Sequence, residues 1–157
     1  MHNSKIKKKI ITLIGPTACN KTSTAVHLIK KFPISIIGVD SVQIYKRFNI
    51  GSAKPPKEIL EKYKHHLVDS ADPENIFSVK DFYDQAYRIV MQAHSNNRIP
   101  LLVGGTMMYF NALFKGINDI PEGNEAIREE LQRELDNRGV DKLCLLYTSD
   151  AADDDVR

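Results

Sequence analysis

Three short apolar runs constrain this chain more than any other feature: "KIITLIG" over residues 9–15, "ISIIGVD" over 34–40 and "IPLLVGG" over 99–105. Each is rich in branched aliphatic residues and continuous rather than alternating, the pattern of a parallel strand buried on both faces. The stretches between them carry helical spacing. From Lys21 to Lys31, Ala25, Leu28 and Ile29 share one stripe that stops before Pro33. A longer helix is expected from about Ser78 to Asn96, with Ser78 as N-cap and Phe82, Ala86, Ile89, Val90 and Ala93 facing inward. "TMMYFNALFKG" reads as a helix closed by Gly116, and "NEAIREELQRELDNRG" as one closed by Gly139. From Ser41 to Asp72 the chain is irregular apart from a short helix in "KEILEKYK" and a third short strand in "HHLVDS". Strands alternating with helices imply right-handed crossovers and an α/β fold with a mostly parallel sheet. Ligands then belong at the carboxyl ends of the strands.

The first run leads directly into "GPTACNKT", Gly15 to Thr22. A phosphate loop needs inward-pointing backbone N–H groups, a lysine to span two phosphates and a hydroxyl for a bound magnesium ion. Gly15, Lys21 and Thr22 stand in those places, with Pro16, Thr17, Ala18, Cys19 and Asn20 between them. The helix expected to start at Lys21 would add its dipole to an anion site. The usual pattern has a glycine before the lysine, and here it is Asn20. Asparagine enters left-handed backbone conformations more readily than other non-glycine residues, so the substitution is compatible with the turn. The competing reading is an ordinary structural turn.

Asp40 closes the second run in "DSVQIY". An aspartate at a strand end beside a phosphate site can hold magnesium or water, act as a general base, or cap a short turn beginning at Ser41. In "GGTMMYF", Gly104 and Gly105 allow close approach of backbone to ligand, and Thr106 offers a hydroxyl at the start of the next helix. Met107, Met108, Tyr109 and Phe110 are expected to be mostly packing residues. Adjacent strand residues point to opposite faces, so His65 and His66 are read as structural rather than as a metal pair.

Composition narrows the function classes. The 157-residue chain is long enough for one domain with a core, and no apolar run reaches the length of a membrane span. Its basic start lacks the uninterrupted apolar core of a secretory leader. Two distant cysteines, Cys19 and Cys144, lack metal-ligand spacing and fit a reducing compartment, so a cytoplasmic location is expected. Residues 1–146 carry a net charge of +5, compatible with a nucleic-acid partner. The lysines at 5, 7, 8 and 9 are read as a solubilising flank rather than an RNA contact. The acidic end "YTSDAADDDVR" breaks abruptly from what precedes it and resembles translated adapter sequence; the other reading is a solvated acidic terminus. The expected organisation is therefore a catalytic core over 1–146, cut short, and a foreign tail over 147–157.

Taken in order, "GPTACNKT", "DSVQIYKRFNIGSAKP", "HHLVD", "FSVKDFYDQA" and "PLLVGGTMMYF" resemble the tRNA dimethylallyltransferase family from about Ile10 to Arg128. The resemblance implies a P-loop-type three-layer fold, here incomplete at its carboxyl end. It also implies transfer of a dimethylallyl group from dimethylallyl diphosphate to N6 of adenosine 37 in the tRNA anticodon loop, with Mg2+ and as a monomer. Residues Thr17 to Thr22 would then grip the diphosphate, with Lys21 neutralising it and Thr22 assisting the metal. Asp40 would take the amine proton, and Thr106 would contact the diphosphate and nucleotide. Ser41, Val42 and Gln43 would line the entry of the flipped base, and Arg128 would touch tRNA. The chain departs from the family at Cys19-Asn20, where "SG" is common, and at Met107-Met108, where "GL" is common. The rival readings are a small-molecule P-loop kinase, a prenyltransferase acting on free adenine nucleotides, and a diphosphate-binding fragment without turnover.

Overall fold

In the computed structural model, residues 9–117 and 124–153 are described, with side chains up to residue 144. The four strands are β1 (Ile11–Ile14), β2 (Ile34–Val39), β3 (His65–His66) and β4 (Ile99–Gly104). The helices are α1 (Lys21–Ile29), α2 (Lys57–Lys62), α3 (Val79–Ser95), α4 (Met107–Lys115) and α5 (Glu125–Asp153). Internal contacts divide the chain into two units, Met1–Ile117 and Asn118–Arg157. The whole sheet lies in the first.

The sheet is parallel throughout, in the order β1-β4-β2-β3. All six residues of β2 are buried, as a continuous branched run requires, and successive side chains serve opposite faces. Ile36 and Leu101 pack with Ala25 of α1. Their neighbours Ile37 and Leu102 join Phe82, Ala86 and Val90 of α3 and Tyr109 and Phe110 of α4. One helix on one face and two on the other make the expected three layers.

β1 departs from expectation. It was read as buried on both faces, yet Ile11 and Ile14 are 43% and 45% exposed. The reason lies in the strand order: among the described residues β1 ends the row and pairs only with β4, so its other edge has no neighbouring strand. Its apolar pattern is that of an interior strand, but its position here is an edge.

The helices start and stop for local reasons. The Ser78 hydroxyl accepts from Asp81 N–H, and the Asp81 carboxylate accepts from Ser78 N–H, a reciprocal cap of the kind that contributes about 1 kcal/mol. The Ser78 hydroxyl, donating to the Asp81 carboxylate at 2.6 Å, and then the Ser78 N–H hold the Asp81 carboxyl below its ordinary range. Gly116 takes φ 84° at the end of α4. Gly139, at φ 72° and ψ 167°, breaks α5 where a helix end was expected. Beyond it the backbone is helical again to Asp153, although no periodicity announced it. Leucine and alanine are strong helix formers without a stripe to bury, which accounts for helix there. Residues 154–157 of the acidic tail, and Lys5, Lys7 and Lys8, lie outside the described residues.

Candidate active site

The carboxyl ends of β1, β2 and β4 border one cleft of about 970 Å3. Its walls include every residue from Gly15 to Thr22, together with Asp40, Ser41, Gln43 and Thr106. Three segments far apart in sequence therefore meet where a parallel sheet places its ligands.

The loop closes on itself around two left-handed residues. Asn20 sits at φ 60° and ψ 22°, and its carbonyl accepts from Thr24 N–H at 3.0 Å, so it ends the loop and begins α1. This is the backbone shape that a glycine ordinarily supplies. Ala18, at φ 66°, takes a second left-handed turn that nothing in its side chain announces. A Cβ added to Gly15 would lie 2.7 Å from Cys19 Sγ, so that thiol would have to turn aside. Lys21 Nζ donates to the carbonyls of Gly15 at 2.8 Å and Pro16 at 2.5 Å, and its ammonium group lies 3.7 Å from Cys19 Sγ. The lysine thus crosses the loop, its charge held at the mouth of a helix amino terminus.

Asp40 and Thr106 are joined by one turn. Asp40 Oδ1 accepts from Val42 N–H at 2.9 Å and Gln43 N–H at 3.1 Å, which is the turn-capping geometry. No hydrogen bond engages Oδ2 among the described residues. Ser41 N–H donates to Thr106 Oγ1 at 3.0 Å, and Thr106 N–H donates to the Val39 carbonyl at 3.2 Å. The threonine hydroxyl therefore fastens the loop after β2 to the loop after β4 instead of capping its own helix. Gln43 Nε2 donates to the carbonyls of Ser52 and Ala53, so its side chain organises the next loop.

Some expectations are redistributed. Val42 is not among the residues bordering the cleft and lies at the surface. Tyr109 and Phe110 pack as expected, Tyr109 stacking on Phe82 with centroids 4.1 Å apart. Burial, with smaller contributions from Tyr45, Asp40 and Asp81, raises the Tyr109 phenol above its ordinary range. Met107 and Met108 are instead 51% and 57% exposed, because helical spacing turns the first residues of α4 away from the sheet. Arg128 belongs to the second unit.

Sequence reading missed Lys54, whose side chain is only 4% exposed. Its ammonium donates to Tyr45 O at 2.8 Å, Asn49 Oδ1 at 3.1 Å and Asp69 Oδ1 at 2.8 Å, knitting residues 45–54 to the segment after β3. A lysine beside two prolines reads as loop surface, and only the fold reveals its burial. His65 and His66 occupy β3, with Tyr63 O 2.6 Å from His65 Nδ1. Burial is the main cause that holds both imidazoles below their ordinary value.

A loop of this shape between a parallel strand and a helix, bordered by polar residues from two neighbouring strand ends, defines a P-loop-type α/β protein. The family model described as "IPP transferase" matches residues 43–152, and the chain belongs to that family. It is 44% identical over 134 residues to the tRNA dimethylallyltransferase of Dichelobacter nodosus, covering 85% of this chain and 42% of that protein. It is likewise 44% identical over 138 residues to that of Legionella pneumophila, covering 88% and 44%. Among solved structures it is similar to the full-length tRNA isopentenylpyrophosphate transferase of Bacillus halodurans, with 38% identity, a TM-score of 0.69, and 93% of this chain and 50% of that one covered. It is also similar to a eukaryotic dimethylallyltransferase acting on tRNA, at 28% identity and a TM-score of 0.68, covering 76% and 31%. The chain thus spans less than half the length of the curated relatives it matches. Among the described residues, no helix is long and apolar enough to cross a membrane.

Proposed function

We propose that the enzyme to which this chain contributes its phosphate loop transfers a dimethylallyl group from dimethylallyl diphosphate to N6 of adenosine 37 in a tRNA anticodon loop. The observation that carries the reading is the hydrogen-bonded turn joining Asp40 to Thr106 at the rim of the loop that holds Lys21. The Gly15–Thr22 loop and Lys21 bind the diphosphate, and Lys21 exchanges its carbonyl partners for phosphate oxygens. The bond between the prenyl carbon and the diphosphate oxygen breaks, and the electron pair leaves with diphosphate. The adenine N6 lone pair forms the new C–N bond, and the amine proton passes to Asp40 Oδ2. An exocyclic amine is a weak nucleophile, so a positioned carboxylate that removes its proton accounts for a large part of the rate. Loop amides and Lys21 stabilise the charge that develops on the leaving group. Thr106 fixes the Asp40 turn and presents its hydroxyl beside the nucleotide, while Ser41 and Gln43 border the entry of the base. Extruding a base from a loop is inexpensive because it is already partly unstacked.

Mg2+ fits the residues present. This ion commonly takes one or two protein oxygens and fills its other positions with phosphate and water. The Thr22 hydroxyl and the Asp40 carboxylate border the cleft as oxygen donors, the ligand type a hard ion of this kind takes. Thr22 would hold the ion, which neutralises diphosphate charge when bound. Arg128 and the net positive charge of residues 1–146 suit a tRNA partner, and a cytoplasmic, monomeric enzyme follows from the same reading.

The test joins this chain to the carboxyl-terminal part of the Bacillus halodurans relative and measures transfer of labelled dimethylallyl to tRNA with Mg2+. Transfer is expected, and Asp40→Asn should lower it about 100- to 10,000-fold while leaving diphosphate binding unchanged. ATP consumption without prenyl transfer would replace this reading with the kinase alternative.

A further inference from the structure

A second cleft, of about 400 Å3, opens at the amino ends of β2 and β4, on the far side of the sheet's length from the loop. Ile89 and Ala93 of α3 give it an apolar wall. Its rim holds Lys62, Lys64, His66 and Arg98, drawn from α2, the link to β3, β3 itself and the turn before β4, and no acidic residue borders it. Lys62, Lys64 and Arg98 take part in no ion pair among the described residues.

Arg98 is aimed rather than loose. Its Nε donates to the hydroxyl of Ser35 at 2.9 Å and one terminal nitrogen donates to the Ile34 carbonyl. Ser35 is itself buried, at 7% exposure, on a strand otherwise wholly hydrophobic apart from glycine. Two of the five guanidinium N–H groups are used in this way, and three remain. Fastening two strand starts explains the arginine; it does not explain two lysines gathered beside it without an acid. The charges are felt locally, since Lys64 and Arg98 join burial in holding the His66 imidazole low. The basic surface also continues toward the first cleft. Lys30 borders that cleft and lies 5.8 Å from the centroid of the Tyr63 ring, which borders the second and carries Lys62 at the same distance.

We propose that this second cleft binds a phosphate group, held by the free N–H groups of Arg98 and the ammonium groups of Lys62 and Lys64. Unneutralised cations converging on a partly enclosed surface attract an oxyanion, and a guanidinium held in one plane suits its geometry. The phosphate can belong to an RNA backbone or to a small phosphorylated molecule, which share this chemistry. The inference stands on the second cleft alone and does not require the prenyl-transfer reading.

The experiment follows the His66 imidazole resonances by NMR as pH is varied, in the chain alone, with inorganic phosphate, and with an RNA hairpin lacking terminal phosphates. A bound anion should raise the His66 titration midpoint by about half a unit or more. A response to the hairpin assigns the site to a polynucleotide backbone, and a response to inorganic phosphate alone assigns it to a small ligand. In the first case the double variant Lys62→Gln/Lys64→Gln should reduce the dependence of log affinity on log salt by about 1.4 to 1.8. The double variant should lose the His66 response, whereas Lys21→Met, which alters only the first cleft, should keep it. No response to either probe, a response that survives the double variant, or one abolished by Lys21→Met would each overturn the proposal.

Discussion

Gly104 pairs with Val39 at the end of the β2–β4 ladder, one residue before Asp40. A Cβ built on Gly104 would overlap the Val39 carbonyl oxygen and lie 2.5 Å from its carbon and 2.9 Å from its Cα. All three are backbone atoms, so no side chain can swing aside and the central strands must part by on the order of 1 Å. Overpacking of this kind costs about 1–3 kcal/mol, and loss of the 3.2 Å bond from Thr106 N–H to Val39 O adds about 1. Gly104→Ala should therefore lose about 2–4 kcal/mol, a large share of the stability of a typical domain. The same displacement reaches Asp40, where a shift of about 1 Å would lower the proposed transfer on the order of 100-fold. Gly105→Ala is the internal comparison. Its Cβ would meet only Gly15 O, at 3.3 Å, and should cost less than about 1 kcal/mol. Urea denaturation of the two variants beside the parent chain measures both. A Gly104→Ala midpoint equivalent to within about 0.5 kcal/mol of the parent would refute the close approach of β2 and β4.

Three further outcomes are expected. Lys54→Met strands the Tyr45 and Asn49 oxygens, but Asp69 is 46% exposed and rehydrates, so the loss in urea denaturation should be about 2–3 kcal/mol. A loss below about 0.5 would mean that the lysine does not organise the loop. Because Asn20 is left-handed, Asn20→Gly should unfold within about 0.5 kcal/mol of the parent and Asn20→Val about 1–2 kcal/mol less stable; equal thermal midpoints for all three would refute that turn. Burial holds His65 and His66 below the ordinary imidazole value of 6.5, so the unfolded chain takes up protons first as pH falls. Their contribution to stability is full above that value and diminishes below it, and urea midpoints at about pH 7.5 and 5.5 should differ accordingly, the difference shrinking in His65→Asn/His66→Asn.

Legibility in the sequence followed how local the cause of each feature was. α3 could be read because Ser78, Asp81 and its apolar stripe all lie within one segment, and Asn20 could be read because its left-handed turn is a property of the residue itself. The burial of β1 could not, because branched residues declare a strand but not whether it has one neighbour or two. Met107 and Met108 misled for a similar reason: apolar character was visible, while the direction each residue faces depends on where α4 lands on the sheet. Lys54 and Arg98 were hidden more deeply. Each is a charged residue in a polar stretch, and its role comes from partners up to 15 and 64 positions away that only the fold assembles.

Asp40 is a turn cap in the structure, and the proposed reaction makes the same residue a base. As a turn cap it uses only Oδ1, accepting from Val42 and Gln43. Those two bonds fix the carboxylate plane, and Thr106 fixes the backbone that carries it through Ser41. A base needs such a fixed orientation, because proton transfer depends on geometry before it depends on acidity. In the proposed reaction the cap prepares the base, and the two roles divide between the two oxygens. Substitution can separate them. Asp40→Asn keeps an oxygen for the Val42 and Gln43 amides and loses the base, so it should unfold within about 0.5 kcal/mol of the parent. Asp40→Ala loses both, and should be about 1 kcal/mol less stable in urea denaturation. Equal stability of Asp40→Ala and the parent would show that the turn stands without its cap, and that the carboxylate owes its orientation to something other than these two amides.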